Sequence, residues 1–549
     1  MKKQQILLID CIIVVLGAIL FLFGIGSTRL FDWDEINFAE SAREMLVTGD
    51  WFNVQINFKS FWEKPPLFIW MQALSMKVFG VGEFAARFPN AMMGIITLLT
   101  LFHCGLKSEN GRFGLLWAGF YLISFFPFVY FKTGIIDPWF NYFIFLGIYF
   151  FSRYADEEKT SQAALSGLFT GLAVLTKGPV GLLIFGLTFT VWLVVRKFRL
   201  QFRWADVLVY LVALALAGGA WFIVLAATGH GEVIQDFLVY QVRLFETQDA
   251  GHGGFPLYHF VILFIGVTPA SIIALSTFRR SILDEEAESR NKGLFRWMMI
   301  SFWVVLILFT IVRTKIIHYS SFCWFPLTYL AAWAASRMMD GKLRFTAWHK
   351  AGLISLASVY GILFTFFTLF DHVKQYVIPY VQDPFAVSCM EAEANWKGFE
   401  PVIGILLLGM TIWFCVLFGK RKEVRSFLPL AAGNIIFILT VLFCGVPEAE
   451  KYSQASAVEF YIERQGEDCY VQPAYFKSYA QYFYAQRQPE NTCEDFEWLS
   501  TGPIDKPCYF VVKDIPETVA RFRSEVPQAQ ELYRRSGFWF FVRPVPDSE

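Results

Sequence analysis

The sequence has little charge and no excess of either sign. Charged residues make up 17% of its 549 positions, and 47 basic residues balance 47 acidic ones. Because binding to nucleic acid depends on a net positive surface, this balance does not indicate a nucleic-acid partner. Hydrophobic residues account for 56% of the chain, which is too much apolar surface for one water-soluble core. The composition therefore predicts a protein of the lipid bilayer.

The first apolar segment lacks a cleavage pattern of small residues before the charged stretch that follows it. It covers residues 6–25, comes after two lysines, and has the length of about twenty residues that crosses a bilayer. We therefore expect a retained membrane-spanning helix, with a cleaved signal peptide as the alternative. Further apolar runs lie at 83–105, 113–130, 138–152, 162–176, 179–195, 205–226, 258–277, 294–312, 321–336, 351–370, 399–419 and 427–446. The sequence thus predicts about 13 transmembrane helices.

Basic residues concentrate in alternate loops, most clearly at 196–203 and 420–425. Lys and Arg remain on the cytoplasmic side of a membrane more often than acids do. The pattern therefore predicts a cytoplasmic N-terminus, and an odd number of spans places the C-terminal part on the opposite, outer side. The connections on that outer side are 27–82, 131–137, 227–257, 313–320 and 371–398.

The long apolar runs end near Pro447. Beyond it, charged segments alternate with short strand-like ones such as CYFVVK at 508–513 and FWFFVR at 538–543. About 100 residues are enough for a modest core of their own. We expect a membrane domain over 1–446 and a small soluble α/β domain over 447–549 on the outer side.

Nine cysteines are present, and some fall on the predicted outer side, where disulfides persist. These are Cys389, Cys469, Cys493 and Cys508. One bridge within the C-terminal tail and reduced, buried cysteines are both consistent with the sequence, which does not indicate a pairing.

Polar residues recur in the predicted outer loops, although they are costly at a membrane boundary and commonly mark function there. The first loop, 27–82, contains FDWDE at 31–35, an amphipathic segment at 39–46 that predicts an interfacial helix, and FWEKPP at 61–66. Later outer segments contribute Asp137, Lys177 with Gly178, Arg243, His252, Lys315, His318 and Tyr319. The set has both signs, with acids suited to act as bases or metal ligands and cations suited to hold a phosphate.

Each of these elements alone has a simpler interpretation. Asp137 precedes Pro138 and fits the start of a helix, and single boundary lysines commonly extend toward lipid headgroups. His259, beside an apolar run, fits an interfacial or core histidine. What distinguishes the set is that the predicted topology places its members on one side of the membrane.

At these residues the chain resembles the GT-C glycosyltransferases of the protein O-mannosyltransferase and aminoarabinose (lipid A) transferase superfamily, which take a sugar from a polyprenyl-phosphate carrier. The matching pieces are DEINFAESAREMLVTGDW (34–51), FWEKPP (61–66), IIDP (135–138), LTKGP (175–179), GH (251–252) and RTKIIHYSSFCWFPL (313–327). The resemblance favours the bacterial aminoarabinose-transferase-like branch. It implies a polytopic α-helical membrane protein of the GT-C type in a bacterial inner membrane, with a small C-terminal periplasmic α/β domain.

The resemblance also implies a role for each matching residue. Asp34 is the best candidate to activate the acceptor, with Glu35 in support and Asp32 as a solvated neighbour. Asp137 corresponds to the family's catalytic acidic residue of the second outer loop and is the alternative to Asp34 for taking the acceptor's proton. The expected phosphate-binding residues are Lys64, Lys177, Arg243 and Lys315, and the expected pocket residues are Gly178, His318 and Tyr319. Glu63 with His252 is the candidate site for a divalent metal such as zinc, and no nucleotide cofactor is expected.

The expected reaction is a direct displacement with inversion. A phosphate-linked sugar is already activated, so catalysis needs cations to hold the departing phosphate and a carboxylate to take the acceptor's proton. The resemblance implies 4-amino-4-deoxy-L-arabinose or a hexose as the sugar, and lipid A, another glycolipid or a protein as the acceptor. After the acid pair, aminoarabinose transferases tend to carry a basic residue and a Tyr. This chain has Ile36, Asn37 and Phe38 instead, which is closer to the mannosyltransferases.

Two other classes of protein fit a polytopic chain. A transporter or flippase of a lipid-linked or anionic substrate tends to carry its binding residues at mid-membrane in matching halves, and the sequence has no internal repeat. A structural subunit that only binds lipid headgroups would have cationic loops without clustered acids. The acids Asp34, Glu35, Glu63 and Asp137 argue against that alternative.

Overall fold

The structure is a computed structural model, and it describes residues 1–198, 202–246, 253–279 and 293–545. Up to residue 279 its α-helices are Lys3–Leu22, Asp34–Thr48, Leu67–Phe79, Glu83–Ser108, Gly111–Ile123, Phe125–Tyr130, Asp137–Glu157, Thr160–Lys177, Val180–Val195, Trp204–Ala227, Gly231–Glu246, Tyr258–Gly266 and Ala270–Ala274. Those from residue 293 onward are Gly293–Ile311, Trp324–Met339, Ala347–Thr368, Phe370–Val377, Pro384–Cys389, Glu400–Arg421, Leu428–Thr440, Val446–Lys451, Ala455–Ile462, Ala480–Tyr484, Phe496–Thr501 and Pro516–Glu525. Short 3₁₀ helices lie at Leu275–Phe278, Ile317–Cys323, Ile378–Tyr380, Val424–Phe427 and Pro489–Asn491, and a π-helical turn lies at Val441–Gly445.

Long apolar helices form the membrane bundle. Within the described residues, 7 helices are long and apolar enough to cross a bilayer, and the pair Tyr258–Gly266 and Ala270–Phe278, bent by 110°, counts as an eighth. Each apolar run predicted from the sequence coincides with a helix, a bent pair, or a broken pair such as Gly111–Ile123 and Phe125–Tyr130. The prediction of a polytopic α-helical membrane protein is confirmed.

The described residues also contain six β-strands, which form two sheets. Strands β1 (Gln55–Ile56) and β2 (Lys59–Ser60) make a hairpin in the first loop. Strands β3 (Tyr470–Ala474), β4 (Cys508–Lys513), β5 (Gln530–Arg535) and β6 (Phe538–Arg543) make a four-stranded sheet in the order β3-β4-β6-β5. β3 and β4 are parallel, and the other two pairs are antiparallel. The two strand-like segments recognised in the sequence are β4 and β6.

Both faces of the four-stranded sheet are covered. Successive side chains of a strand point to opposite faces, so Phe540 and Phe541 of β6 enter different cores. Phe541 packs with the helix Pro516–Glu525. Phe540 shares its core with Ile36 and Phe68 of the first loop region. The C-terminal sheet therefore packs directly on the first loop and places C-terminal residues beside it.

The helix Asp34–Thr48 departs from the simple interfacial helix expected from the sequence. It ends at Gly49, whose φ of +73° allows its N–H to bond the carbonyl of Met45. Its polar residues Glu40 and Arg43 are buried, and Arg43 donates to both Glu40 oxygens at 2.8 and 2.6 Å. The reason is that the C-terminal residues cover this side of the helix.

All nine cysteines are free. Cys389, Cys469 and Cys508 are buried. The alternative of reduced, buried cysteines therefore holds, and the tail has no disulfide bridge.

Candidate active site

One cavity of about 430 Å³ lies where the ends of several bundle helices meet the first loop and the C-terminal residues. Its charged lining consists of Asp34, Glu63, Lys64, Asp137, Lys177, Arg243, His318 and Lys477. Aromatic residues in its wall are Trp33, Phe38, Phe140, Tyr240, Phe309, Tyr319 and Tyr479. Loops that are predicted on the outer side and lie far apart in the sequence thus line one cavity.

Asp34 is the first residue of its helix and reaches the cavity. Its side chain is 47% exposed, and its Oδ2 lies 3.5 Å from Nε2 of His318. The preceding residue, Trp33, has a φ of +77°, a conformation that residues with a side chain rarely adopt. Backbone strain of this kind persists where the surrounding structure imposes it, and it clusters at functional sites. The turn at Trp33 starts the helix at the cavity wall and leaves the Asp34 carboxylate accessible.

Asp137 and Lys177 form an ion pair in the wall of the cavity. Nζ of Lys177 lies 2.7 Å from Oδ1 of Asp137. The Lys177 side chain is 14% exposed and the Asp137 side chain is 4% exposed. Asp137 begins the helix Asp137–Glu157, and Lys177 ends the helix Thr160–Lys177. A carboxylate at a helix start and a cation at a helix end both complement the helix dipole. Because its carboxylate already accepts from an ammonium, Asp137 is less suited than Asp34 to take a proton.

Gly178 shapes the wall without lining the cavity. Its φ is +87°, and a Cβ atom there would lie 2.7 Å from the ring of Phe237. Phe237 belongs to the helix Gly231–Glu246, which carries Tyr240 and Arg243 to the cavity. Any other residue at this position would strain the turn and clash with the Phe237 ring unless that ring moved.

Lys64, Glu63 and Arg243 gather around the ring of Tyr240. The Tyr240 hydroxyl donates to Oε2 of Glu63 at 3.3 Å. Nζ of Lys64 and Cζ of Arg243 each lie 5.2 Å from the ring centroid, within the range of a cation–π contact. Burial lowers the pKa of Lys64, while Glu63 and Asp34 act to raise it. The cluster thus places the cations Lys64 and Arg243 together with the Glu63 carboxylate in the cavity wall.

His318 and Tyr319 line the cavity, as the motif RTKIIHYSS suggested. Burial lowers the pKa of the His318 imidazole, and the carboxylates of Asp137 and Asp34 oppose that shift. The ring of Tyr319 lies 5.7 Å from Nζ of Lys177. Both residues therefore contact the charged groups at the centre of the site.

Glu35 does not reach the cavity, although it follows Asp34 directly. It is 2% exposed, and Nε of Arg87 donates to its Oε1 at 2.7 Å. Backbone N–H groups of Gly134 and Phe31 donate to its two oxygens at 2.5 and 2.8 Å. These protein donors occupy the hydrogen-bond acceptor sites of the Glu35 carboxylate. Glu35 therefore has no open oxygen at the cavity, and the structure does not bring it together with the other predicted catalytic residues.

Lys315 is also absent from the cavity lining. Its ammonium donates to the carbonyls of Phe309, Thr310 and Val312 at 2.9, 2.7 and 2.6 Å. These are among the last carbonyls of the helix Gly293–Ile311 and the residue beyond it, which lack partners within the helix. The prediction that Lys315 binds the donor phosphate is not supported, because the ammonium closes a helix end.

Asp32, expected to be only a solvated neighbour, ties the first loop to the C-terminal region. Its Oδ2 accepts from the Ser478 hydroxyl at 2.6 Å, and its Oδ1 accepts from the Tyr479 N–H at 3.1 Å. These bonds hold the segment 477–479 against the cavity. The sequence does not indicate this contact, because 446 residues separate Asp32 from Ser478.

Two residues of this C-terminal segment, Lys477 and Tyr479, line the cavity and were missed by the sequence analysis. Nζ of Lys477 lies 5.1 Å from the ring centroids of both Trp33 and Tyr479. Those two rings meet edge to face at 5.8 Å. The C-terminal region is therefore part of the site wall. A lysine and a tyrosine in an aromatic-rich tail carry no motif that would have revealed this.

Of the two candidate metal ligands, the structure describes one. Glu63 lines the cavity, whereas His252 lies outside the described residues. Across the described ranges, no group of three or more His, Cys, Asp or Glu side chains is placed to hold a metal ion. Of the candidate pair, the described residues supply only the Glu63 carboxylate, and a catalytic zinc site normally takes three protein ligands.

The sequence matches known membrane glycosyltransferases over part of its length. Residues 63–223 match the family model for dolichyl-phosphate-mannose-protein mannosyltransferase. A protein of Pectobacterium carotovorum subsp. carotovorum (strain PC1), named undecaprenyl phosphate-alpha-4-amino-4-deoxy-L-arabinose arabinosyl transferase, is 26% identical over 361 residues, which cover 63% of each protein. A protein of Shewanella sediminis (strain HAW-EB3) with the same name is 26% identical over 60% of each. The matched regions thus span less than two thirds of these curated relatives.

The fold matches a solved structure over nearly the whole chain. The crystal structure of ArnT from Cupriavidus metallidurans bound to undecaprenyl phosphate superposes with a TM-score of 0.78 at 16% sequence identity, covering 98% of both chains. The predicted GT-C fold and the predicted resemblance to the mannosyltransferase and aminoarabinose transferase superfamily are confirmed.

Proposed function

We propose that this multi-pass membrane protein, which has the GT-C fold and resembles the aminoarabinose transferases, transfers a sugar from a polyprenyl-phosphate donor to an acceptor. The observation that carries the proposal is the cavity itself. It unites an accessible carboxylate, Asp34, with the cations Lys64, Lys177 and Arg243 at one end of the helix bundle. The curated relatives are named for an undecaprenyl-phosphate donor, which supports the same donor class here.

The proposed step is a displacement at the anomeric carbon. The acceptor oxygen forms the new bond to that carbon while the bond to the phosphate oxygen breaks, so the configuration inverts. Asp34 takes the proton of the acceptor hydroxyl, and its half-exposed side chain suits this role. Lys64, Lys177 and Arg243 hold the phosphate as its charge grows. Asp137 keeps the Lys177 ammonium in position through their 2.7 Å pair.

More than one donor sugar and more than one acceptor fit the proposed reaction. The sugar is 4-amino-4-deoxy-L-arabinose or a hexose, and the acceptor is lipid A, another glycolipid or a protein. The site faces the periplasm in the predicted topology, with the N-terminus in the cytoplasm and residues 447–549 forming a periplasmic domain in a bacterial inner membrane.

A divalent metal at Glu63 and His252 stays a prediction. Glu63 lines the cavity beside Lys64 and is in reach of the donor phosphate region, whereas His252 lies outside the described residues. The residues that the structure describes do not complete a set of metal ligands. The proposed displacement does not depend on a metal. Metal analysis of the purified protein, together with transfer rates before and after chelation, tests this prediction.

A transporter or flippase is the competing function. Carriers bind their substrate near the middle of the membrane between matching halves, whereas this cavity lies at one end of the bundle and includes Lys477 and Tyr479 of the C-terminal region. The fold match to ArnT also favours transfer.

The direct test incubates the purified full chain with a panel of polyprenyl-phosphate sugars and candidate acceptors, and detects product by mass spectrometry. Donor-dependent glycosylated product is expected with at least one pair. Movement of solute across vesicles by the protein, without any glycosylated product, would overturn the proposal in favour of a transporter.

A further inference from the structure

A second cavity, of about 460 Å³, lies on the C-terminal region beside the proposed active site. We call it the tail groove. It is lined by Gln472, Pro473, Tyr475, Phe476, Lys477, Ser478, Gln481, Tyr482 and Phe496. Its volume falls within the range of about 300–1,000 Å³ that is usual for ligand sites. Neither the sequence motifs nor the proposed reaction accounts for it.

The tail groove adjoins the active-site cavity through shared residues. Lys477 lines both spaces. The ring of Tyr482 in the groove meets the ring of Tyr479 in the cavity wall at 6.2 Å, and Tyr479 in turn meets Trp33. A continuous row of aromatic rings therefore leads from the groove to the residue before Asp34.

The groove combines aromatic faces with amide and hydroxyl groups. A pyranose ring presents C–H groups on its faces, which pack against the negative face of an aromatic ring, and hydroxyl groups at its rim, which donate and accept hydrogen bonds. Tyr475, Phe476, Tyr482 and Phe496 supply rings. Gln481, 1% exposed, donates to the Ser478 carbonyl at 2.9 Å, while its own amide oxygen has no hydrogen-bond partner among the described residues.

Lys477 adds a positive charge between the two spaces. Its side chain is exposed. Its ammonium lies over the rings of Trp33 and Tyr479. A cation held in this way is suited to a phosphate or carboxylate group on a sugar.

On these grounds we propose that the tail groove binds the sugar portion of the acceptor, with an anionic group of that sugar on Lys477. This inference rests on the proposed function, because it assigns the acceptor side of the same reaction. The occupant of the tail groove is an anionic oligosaccharide. The aromatic row then guides the acceptor hydroxyl toward Asp34.

The first test measures transfer kinetics of the full chain in lipid nanodiscs, with the acceptor varied at saturating donor and then the reverse. Lys477→Met and Phe476→Ala are each expected to raise the acceptor KM about tenfold, because a charge-assisted contact or a ring contact is lost, with the donor KM unchanged. Lys513→Met is the matched control. The Lys513 ammonium also lies over the ring of Phe476, at 5.1 Å, but lines neither cavity.

The second test measures direct binding to the same full-chain protein and does not depend on turnover. The probes are a water-soluble phosphorylated disaccharide, the same disaccharide without phosphate, and an unglycosylated peptide. The expected order is strongest binding for the phosphorylated disaccharide, and this preference is expected to disappear in Lys477→Met. Equal disaccharide binding by the wild type and both variants, or peptide binding that Phe476→Ala removes, would overturn the inference.

The two tests also separate this inference from the proposed function. A wild-type protein that forms no donor-dependent product contradicts the proposed function, whatever the groove binds. Normal transfer with acceptor KM values unchanged in both groove variants contradicts the groove assignment alone. Since Lys477 is exposed, Lys477→Met keeps the test valid even if Phe476→Ala destabilises the fold.

Discussion

Asp34 and Glu35 are neighbours in the sequence, yet they belong to different parts of the molecule. Asp34 is 47% exposed in the cavity, whereas Glu35 is 2% exposed and bonded to Arg87 and to two backbone N–H groups. Consecutive residues of a helix point in directions about 100° apart, so one faces the cavity and the next faces the bundle. An acid with every acceptor site occupied holds the fold, and an acid with open sites is available for chemistry.

The cations show the same division. Lys64 lies in the cavity over the Tyr240 ring, whereas Lys315 has its ammonium bonded to three carbonyls at a helix end. Both had been expected to bind phosphate. Charged groups that remain accessible in the cavity should therefore affect transfer. Charged groups whose hydrogen-bonding sites are all occupied by the protein should affect stability.

Asp34→Asn provides the sharpest test of the open group. The substitution preserves the shape of the side chain but removes the carboxylate that takes the acceptor's proton. We expect kcat to fall by about 10²–10⁴-fold, the usual contribution of a general base, while the thermal midpoint stays near that of the wild type. Asp137→Asn is the comparison, and a larger loss there than at Asp34 would reverse the assignment of the base.

Glu35→Gln tests the saturated group. The change leaves Arg87 buried without its carboxylate, and breaking a buried ion pair typically costs about 3–5 kcal/mol. We expect a large decrease in the thermal midpoint of the purified protein in nanodiscs. Glu83→Gln is the control, because its pair with Arg29 is longer, at 3.5 Å, and partly exposed, and such pairs contribute at most about 1 kcal/mol. Equal effects of the two substitutions would contradict the structural role of Glu35.

Lys64→Met and Lys315→Met extend the comparison to the cations. Loss of one group that stabilises developing charge commonly costs about 10²–10³-fold in rate, so Lys64→Met is expected to reduce transfer by that amount. Lys315→Met is expected to lower stability with the donor KM unchanged. Transfer kinetics and thermal unfolding measured on the same preparations distinguish the two outcomes, and a raised donor KM in Lys315→Met would return that residue to the phosphate site.

A pH-dependent effect on stability is expected at Glu44, near the C-terminal end of the helix Asp34–Thr48. Burial, and then the nearby carboxylate of Glu40, raise the pKa of Glu44 to about 9. In the unfolded chain Glu44 ionises near its ordinary pKa of 4.5, so the folded state loses relative stability as pH rises from there toward 9. Glu44→Gln removes this titration. We expect a flatter dependence of the thermal midpoint on pH over that interval, and an unchanged pH profile would contradict the shifted pKa.

Much of the candidate site could be predicted because its residues stand in recognisable local motifs. Asp34, Lys64, Lys177 and His318 line the cavity, as the resemblance implied, and so does Arg243, which was expected as a phosphate-binding cation. The helices coincide with apolar runs, because the length of such a run is a local property of the chain. The chemical roles of these residues stay predictions until transfer is measured.

The rest of the site could not be predicted, because it depends on contacts between distant segments. Lys477 and Tyr479 reach the cavity through bonds from Ser478 and Tyr479 to Asp32, which lies 446 residues before Ser478. Nothing in the local sequence of the tail indicates that contact. The C-terminal sheet and the first loop on which it packs are also far apart in the sequence.

The sequence by itself determined a many-helix membrane protein, the positions of its helices, and a set of acids and cations drawn to one side. Those features follow from hydrophobic length and from charge in the loops, which are local properties. Only the tertiary structure decided which of those charges remain open. Arg87 and the C-terminal sheet come from other parts of the chain than the acids they cover or bind, and packing determines which side chains they saturate.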